Sequence, residues 1–454
     1  MAPRFLSSST LSNRLPFFAL GLAGLLAAAC KSSTTGPAQC QVQSIAISGL
    51  PATLAALQQV QLTATIQGTN CAGETVTWSV TGGLSITASG QVTGTHLGGP
   101  FTVTATARGV QGTATTTVTV AALVADPRWA LAWANDQASA DYAVSPLYAF
   151  STGGAIRSTR SGAGTYAVRF PGLASGAGQR LAVHVSSYGP TPRRCRVLSW
   201  ANEGAELVVQ VRCHDFAGAL ADSRFDILVV PAGSTGGRSA FVVSPAVATD
   251  PIDATTAHNS TQQGIQITRT ATGRYEVLLR GQARTNFATQ RESFHVTAYG
   301  DGSNWCKIMW WDPPLAGSPD LQLNVDCYNA AGAAADGRFA VLMLESGRTG
   351  RRLGYVWANE PSAANYTPSA SWAFNSGAAT NTAVRFSPGV YDVVWTGLGR
   401  IAGSTAETNL VTSYGDGNNA WCQVSNWGND DTVVVCFNPA GAPADSRYTA
   451  IWIE

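Results

Sequence analysis

Residues 188–225, YGPTPRRCRVLSWANEGAELVVQVRCHDFAGALADSRF, are the place to begin, because two strands can be read in them directly. In Leu207-Val208-Val209-Gln210-Val211-Arg212-Cys213, successive side chains point to opposite faces, so Leu207, Val209, Val211 and Cys213 fall together. In Cys195-Arg196-Val197-Leu198-Ser199-Trp200, Cys195 and Val197 share a face. The two segments predict an antiparallel hairpin with Cys195 opposite Cys213 on its core side. Closing a loop of that size with a disulfide stabilises by about 3 kcal/mol. Trp200 lies an odd number of residues past Cys195. Alternation therefore sets it on the other face, beside Arg196, turned outward or toward a covering loop.

The string recurs. Tyr188-Gly189 with Cys195 and Trp200 is matched by Tyr299-Gly300 with Cys306 and Trp311, and by Tyr414-Gly415 with Cys422 and Trp427. Each copy has an upstream Gly-x-Tyr: Gly164-Thr165-Tyr166, Gly273-Arg274-Tyr275 and Gly389-Val390-Tyr391. After Cys213, Cys327 and Cys436 comes Ala-Asp-x-Arg-aromatic, at Asp222, Asp336 and Asp445. Trp133-Ala134-Asn135-Asp136 opens the first copy and Trp357-Ala358-Asn359-Glu360 the third, while the second lacks this opening. A period of about 110 residues exceeds a solenoid turn or propeller blade and suits a sandwich of seven or eight strands. Three tandem β-sandwich domains on a string are expected, at 126–231, 238–345 and 351–454, with docking into one threefold body as the alternative. The repeat resembles an uncharacterised one of secreted bacterial proteins, and that resemblance implies no activity.

Composition agrees with an all-β class. Runs such as Thr113 to Val120 alternate small polar with β-branched residues, which suits a pleated, half-buried surface. Charged residues are 12% of the 454 and the net charge is +1, so no basic field exists to hold nucleic acid.

Ahead of the repeats, the strands Ser44-Ile45-Ala46-Ile47 and Val60 to Thr65 are followed by Val76-Thr77-Trp78-Ser79, Gly90-Gln91-Val92-Thr93-Gly94, Phe101 to Thr106 and Thr117 to Val120. In that order they resemble the bacterial Ig-like group 2 (BIG2) module of invasin and intimin type. The resemblance covers 41–121, implies an Ig-like β-sandwich used as a spacer or adhesive stalk, and brings no catalytic residues with it.

The first 29 residues read as a signal peptide, with Arg4 and Arg14 before the apolar run Leu15 to Ala29. That run of about 15 residues is short of the roughly 20 that span a bilayer. Leu26-Ala27-Ala28-Ala29-Cys30 resembles the bacterial lipobox, which implies diacylation of Cys30 and a lipid anchor to the membrane. Residues 30–40 are then a flexible linker. Nine cysteines less Cys30 leave eight, which locality pairs as Cys40–Cys71, Cys195–Cys213, Cys306–Cys327 and Cys422–Cys436. The expected location is extracytoplasmic, at the cell surface.

The chemistry-bearing residues read as structural. The repeated Asp is expected to cap a turn by accepting backbone N–H bonds, with the Arg of its motif pairing with it or covering the sheet edge. His184 and His295 occupy a position where the third copy has Leu410, which reads as half-buried strand surface. With 27 acidic residues and no nucleophile or metal motif, no catalytic residue, cofactor or metal is expected. The chain reads as a non-catalytic surface lipoprotein for adhesion, for binding a glycan or surface protein, or for building surface structure. The alternatives are a carbohydrate-binding protein using Trp200, Trp427 and especially Trp311, with Trp310 and Trp305 nearby, and a glycan hydrolase with its acids far apart in sequence.

Overall fold

The computed structural model describes residues 39–55, 58–119, 128–176, 179–232, 237–246, 250–287, 290–345, 352–399 and 406–454. Their regular structure is strand throughout, apart from one 3-10 turn at Ala254–Thr256. The fold is all-β and sandwich-like. The signal segment, Cys30 and most of the linker lie outside the described residues.

Each repeat contributes its strands to two different sheets, and each sheet passes from one repeat into another. A nine-stranded sheet takes four strands of the first unit and, where Tyr188 pairs with Val424, continues into five of the third. A second nine-stranded sheet takes five strands of the first unit and, at Val197 and Tyr299, four of the second. An eight-stranded sheet joins the second and third units at Ile308 and Tyr414. This corrects the expectation of independent domains on a string. An open sandwich leaves sheet edges with unpaired backbone groups. Here each unit closes the edge of its neighbour, and three units return to the start.

The closure is knit by short side chains. The strands Leu181–Tyr188, Glu292–Tyr299 and Thr408–Tyr414 meet at the centre. Ser186 Oγ accepts from Val411 N at 2.9 Å, and Thr412 Oγ1 from Val296 N at 3.1 Å. Thr297 Oγ1 completes the ring against Val185 N at 3.4 Å. Each hydroxyl stands two residues before a Tyr-Gly. Backbone groups too far apart for a ladder are thereby satisfied, as buried polar groups must be.

The N-terminal sandwich is not free of this body. Its long strand His96–Ala107 pairs antiparallel with Ile252–Asp253 of the second unit, and Ala254 N donates to Thr95 O at 3.1 Å. Leu54, Val92, Phe101 and Val103 form one apolar cluster with Val242, Ile252 and Ala254. Gly90 is required in this sandwich, with φ of +86° and a position where a Cβ would come 3.0 Å from the Trp78 ring. The contact falls on the unit that lacks the Trp-Ala-Asn opening. There Val243 pairs with Ala340, in the place that Trp133 and Trp357 hold in the other units.

Candidate functional site

The repeated motifs meet in space, and each meeting is structural. Asp222 accepts from Gly164 N at 2.8 Å, from the Tyr166 hydroxyl at 3.1 Å and from Arg160 through both guanidinium nitrogens at 2.9 and 2.8 Å. Asp336 does the same with Gly273, Tyr275 and Arg269, and Asp445 with Gly389, Tyr391 and Arg385. The Tyr hydroxyl also accepts the N–H of the residue after each Asp. These hydrogen bonds hold all three carboxyls below their ordinary pKa, led by the arginine for Asp222 and Asp336 and, for Asp445, working against desolvation. The Gly is needed because φ is positive and a Cβ would meet the carbonyl of the second cysteine at 2.3–2.6 Å. The arginine that pairs with Asp is thus not the one in its own motif. Arg224 and Arg338 instead lie over the rings of Tyr188 and Tyr299, at 5.0 and 4.8 Å. An Arg four residues before each Gly-x-Tyr was the signal that could have found the true partner.

The cysteines pair as Cys195–Cys213, Cys306–Cys327 and Cys422–Cys436, each directly across its hairpin with Cα atoms 4.0 Å apart, and as Cys40–Cys71 at 4.5 Å. Four disulfides point to an oxidising, extracytoplasmic setting.

The tryptophans do not sit where alternation puts them. Each hairpin strand carries a β-bulge three residues past its cysteine: the register steps from Val197 to Ser199, from Ile308 to Trp310 and from Val424 to Asn426. One extra residue reverses the order of faces. Trp200, Trp311 and Trp427 therefore return to the core side. Trp311 is 5% exposed and packs edge-on against Trp357, Trp372 and Tyr414. Trp427 meets Trp133 and Tyr188, and Trp200 meets Tyr299 at 5.4 Å. In every case the partner is the Tyr of a neighbouring unit's Tyr-Gly. Trp305 is buried as well, Trp200 and Trp427 are half-buried, and Trp310, at 39% exposed, is the most open of the five. Trp311→Ala is accordingly expected to cost about 3–5 kcal/mol in a urea titration, and Trp310→Ala less than about 1 kcal/mol. Equal costs would contradict this placement.

Residues beside the tryptophans hold the same junctions. Arg196 donates to Gly302 O at 2.8 Å, to Asn304 O at 3.1 Å and to Tyr299 O, all in the second unit. Lys307 Nζ reaches Asn418 O at 2.9 Å in the third, and Gln423 reaches Gly189 O and Thr191 O in the first. Alternation sets Arg196 on the outward or loop-covered face with Trp200, whereas Arg196, Lys307 and Gln423 are all buried latches between units. The signal for them was a long polar side chain repeated just after each first cysteine.

His184 and His295 are fully buried near the centre rather than half-exposed on a strand, and burial pushes both down to about 3. Asp301 pairs with Arg212 at 2.6 Å. Among the described residues no three His, Cys, Asp or Glu side chains stand close enough to hold a metal ion.

No protein-family model matches the chain, and a search of the curated proteins found no match.

Proposed function

We propose that this chain is a non-catalytic lipoprotein of the cell surface, in which a BIG2-like module and a threefold β-body form one rigid unit for adhesion or binding. The observation that carries the reading is the use made of the repeated motifs. Asp222, Asp336 and Asp445, the three Tyr hydroxyls, the hairpin tryptophans and the Arg196, Lys307 and Gln423 latches are all committed to holding strands and units together. Repeated polar residues so engaged have a sufficient reason to exist without chemistry. The disulfides suit an envelope location, and diacylated Cys30 would supply the two-chain anchor that keeps a protein at a membrane. Fractionating cells that express Cys30→Ser tests the anchor. The variant is expected in the soluble fraction, and a variant that stays with the membranes contradicts it.

A carbohydrate-binding reading is favoured by Trp310 alone, whose exposed indole could stack on a sugar ring. A glycan and matrix-protein array probed with residues 39–454 separates the readings. Retention on a glycan that is lost in Trp310→Ala supports sugar recognition. Retention on matrix proteins that survives the substitution supports adhesion through another surface.

A further inference from the structure

One end of the threefold axis holds a cavity of about 60 Å³ among the three hairpin disulfides. The residue before each first cysteine faces it, namely Arg194, Trp305 and Trp421, joined by Arg196 and His214. Arg194 lies over the Trp421 ring at 4.7 Å, and Trp421 and Trp305 are 5.9 Å apart between ring centroids. No carboxylate lines the cavity.

Its unpaired atoms are all of one kind. Arg194 Nε and Nη1, Arg196 Nε, Trp305 Nε1 and Trp421 Nε1 are buried, have no hydrogen-bond partner in the protein, and are all donors. Arg194 is 6% exposed and Arg196 2%, and both spend their other nitrogens on backbone carbonyls rather than on a carboxylate. Leaving a buried donor unsatisfied costs about 1–3 kcal/mol, more for a charged group. All five belong to residues that line one small space, and a group that only accepts meets such donors without bringing any of its own.

We propose that this cavity is an anion site that takes a small inorganic oxyanion, phosphate or sulfate, held by Arg194 and Arg196 with the indole N–H groups of Trp305 and Trp421. Charge-assisted bonds from guanidinium to an oxyanion are the stronger kind, and indole N–H groups add direction without charge. The volume suits the anion itself and excludes a sugar ring. The site stands apart from the exposed Trp310 and from the anchor, so it stands or falls independently of the surface role proposed above. Burial also lowers Arg194 and Arg196 to about 10, and together with these two guanidiniums it lowers His214 to about 4, which marks a wall short of negative charge.

The test is a ¹H–¹⁵N titration of the full oxidised chain with sodium phosphate and with sodium sulfate, the ionic strength being held constant with sodium chloride. Trp305→Phe and Trp421→Phe identify the two indole signals. Both signals are expected to move in a saturable way with either oxyanion. Arg194→Met should weaken binding about tenfold or more, and Trp305→Phe, which keeps a ring in place, several-fold. Wild-type indole signals that do not move, or that drift linearly with added salt, would overturn the proposal and leave the cavity to water. So would a folded Arg194→Met that binds as well as wild type.

Discussion

Arg196→Met is expected to destabilise the protein by about 3–5 kcal/mol. The side chain crosses from the first unit to the second and donates to three carbonyls, those of Gly302, Asn304 and Tyr299. A hydrogen bond from a charged donor is worth about 1.5–3 kcal/mol net, and carbonyls left buried without donors add their own penalty. Against this, methionine spares the cost of burying a charge that hydrogen-bonds to no carboxylate, which removes part of the loss. Lys307→Met breaks one backbone contact, Asn418 O at 2.9 Å, and should cost about 1–2 kcal/mol. The measurement is urea unfolding of the oxidised proteins, followed by tryptophan fluorescence and far-UV circular dichroism. An Arg196→Met protein within about 1 kcal/mol of wild type would mean that the latch is idle.

Stability should fall by about 3–5 kcal/mol between pH 6 and pH 4. His184, His258 and His295 are buried and held near 3, and His214 near 4, against an ordinary value of 6.5. A histidine depressed in the fold contributes fully above pH 6.5, and its contribution is lost as the unfolded chain takes up the proton that the fold refuses. Asp226, Asp326 and Asp392 act in the opposite sense. Burial raises all three, Asp392 to about 6, so they release protons on unfolding in the same range. The net uptake is then one to two protons, or about 1.4–2.7 kcal/mol per pH unit. His295→Leu copies Leu410 of the third unit, so it should fold and should flatten the slope by about one proton. A variant with the wild-type slope would show that His295 is not held neutral.

How far the sequence could be read depended on whether a feature is local. The cysteine hairpins were legible because two short alternating segments ending in cysteine leave few ways to pair, and Cys195–Cys213, Cys306–Cys327 and Cys422–Cys436 are cross-strand neighbours. The turn-capping role of Asp222 was legible too, although its partner Arg160 was not, because four strands separate them in the chain. The faces of Trp200, Trp311 and Trp427 were misread for a specific reason. The bulge falls at Leu198, Met309 and Ser425, residues that carry no turn or glycine signal, and one uncounted residue inverts everything after it. Sheet continuity between units could not be read either. It rests on single backbone pairings, Tyr188 with Val424, Val197 with Tyr299 and Ile308 with Tyr414, between residues more than one hundred positions apart. Once those pairings are known, the repeated Tyr-Gly explains itself: Gly189, Gly300 and Gly415 each donate across a junction, at 2.8–2.9 Å.

Scanning calorimetry of the oxidised chain tests most directly whether the three repeats are one body. With about 0.7 kcal/mol of unfolding enthalpy per residue, about 330 residues of repeat melting together should absorb on the order of 230 kcal/mol. Shared sheets, the ring of Ser186, Thr297 and Thr412, and the junction latches predict a single transition, with the van't Hoff enthalpy close to the calorimetric one. Arg196→Met should move that whole transition down without splitting it. Three separable transitions, or a van't Hoff enthalpy near one third of the calorimetric value with only one component shifted by Arg196→Met, would contradict the account.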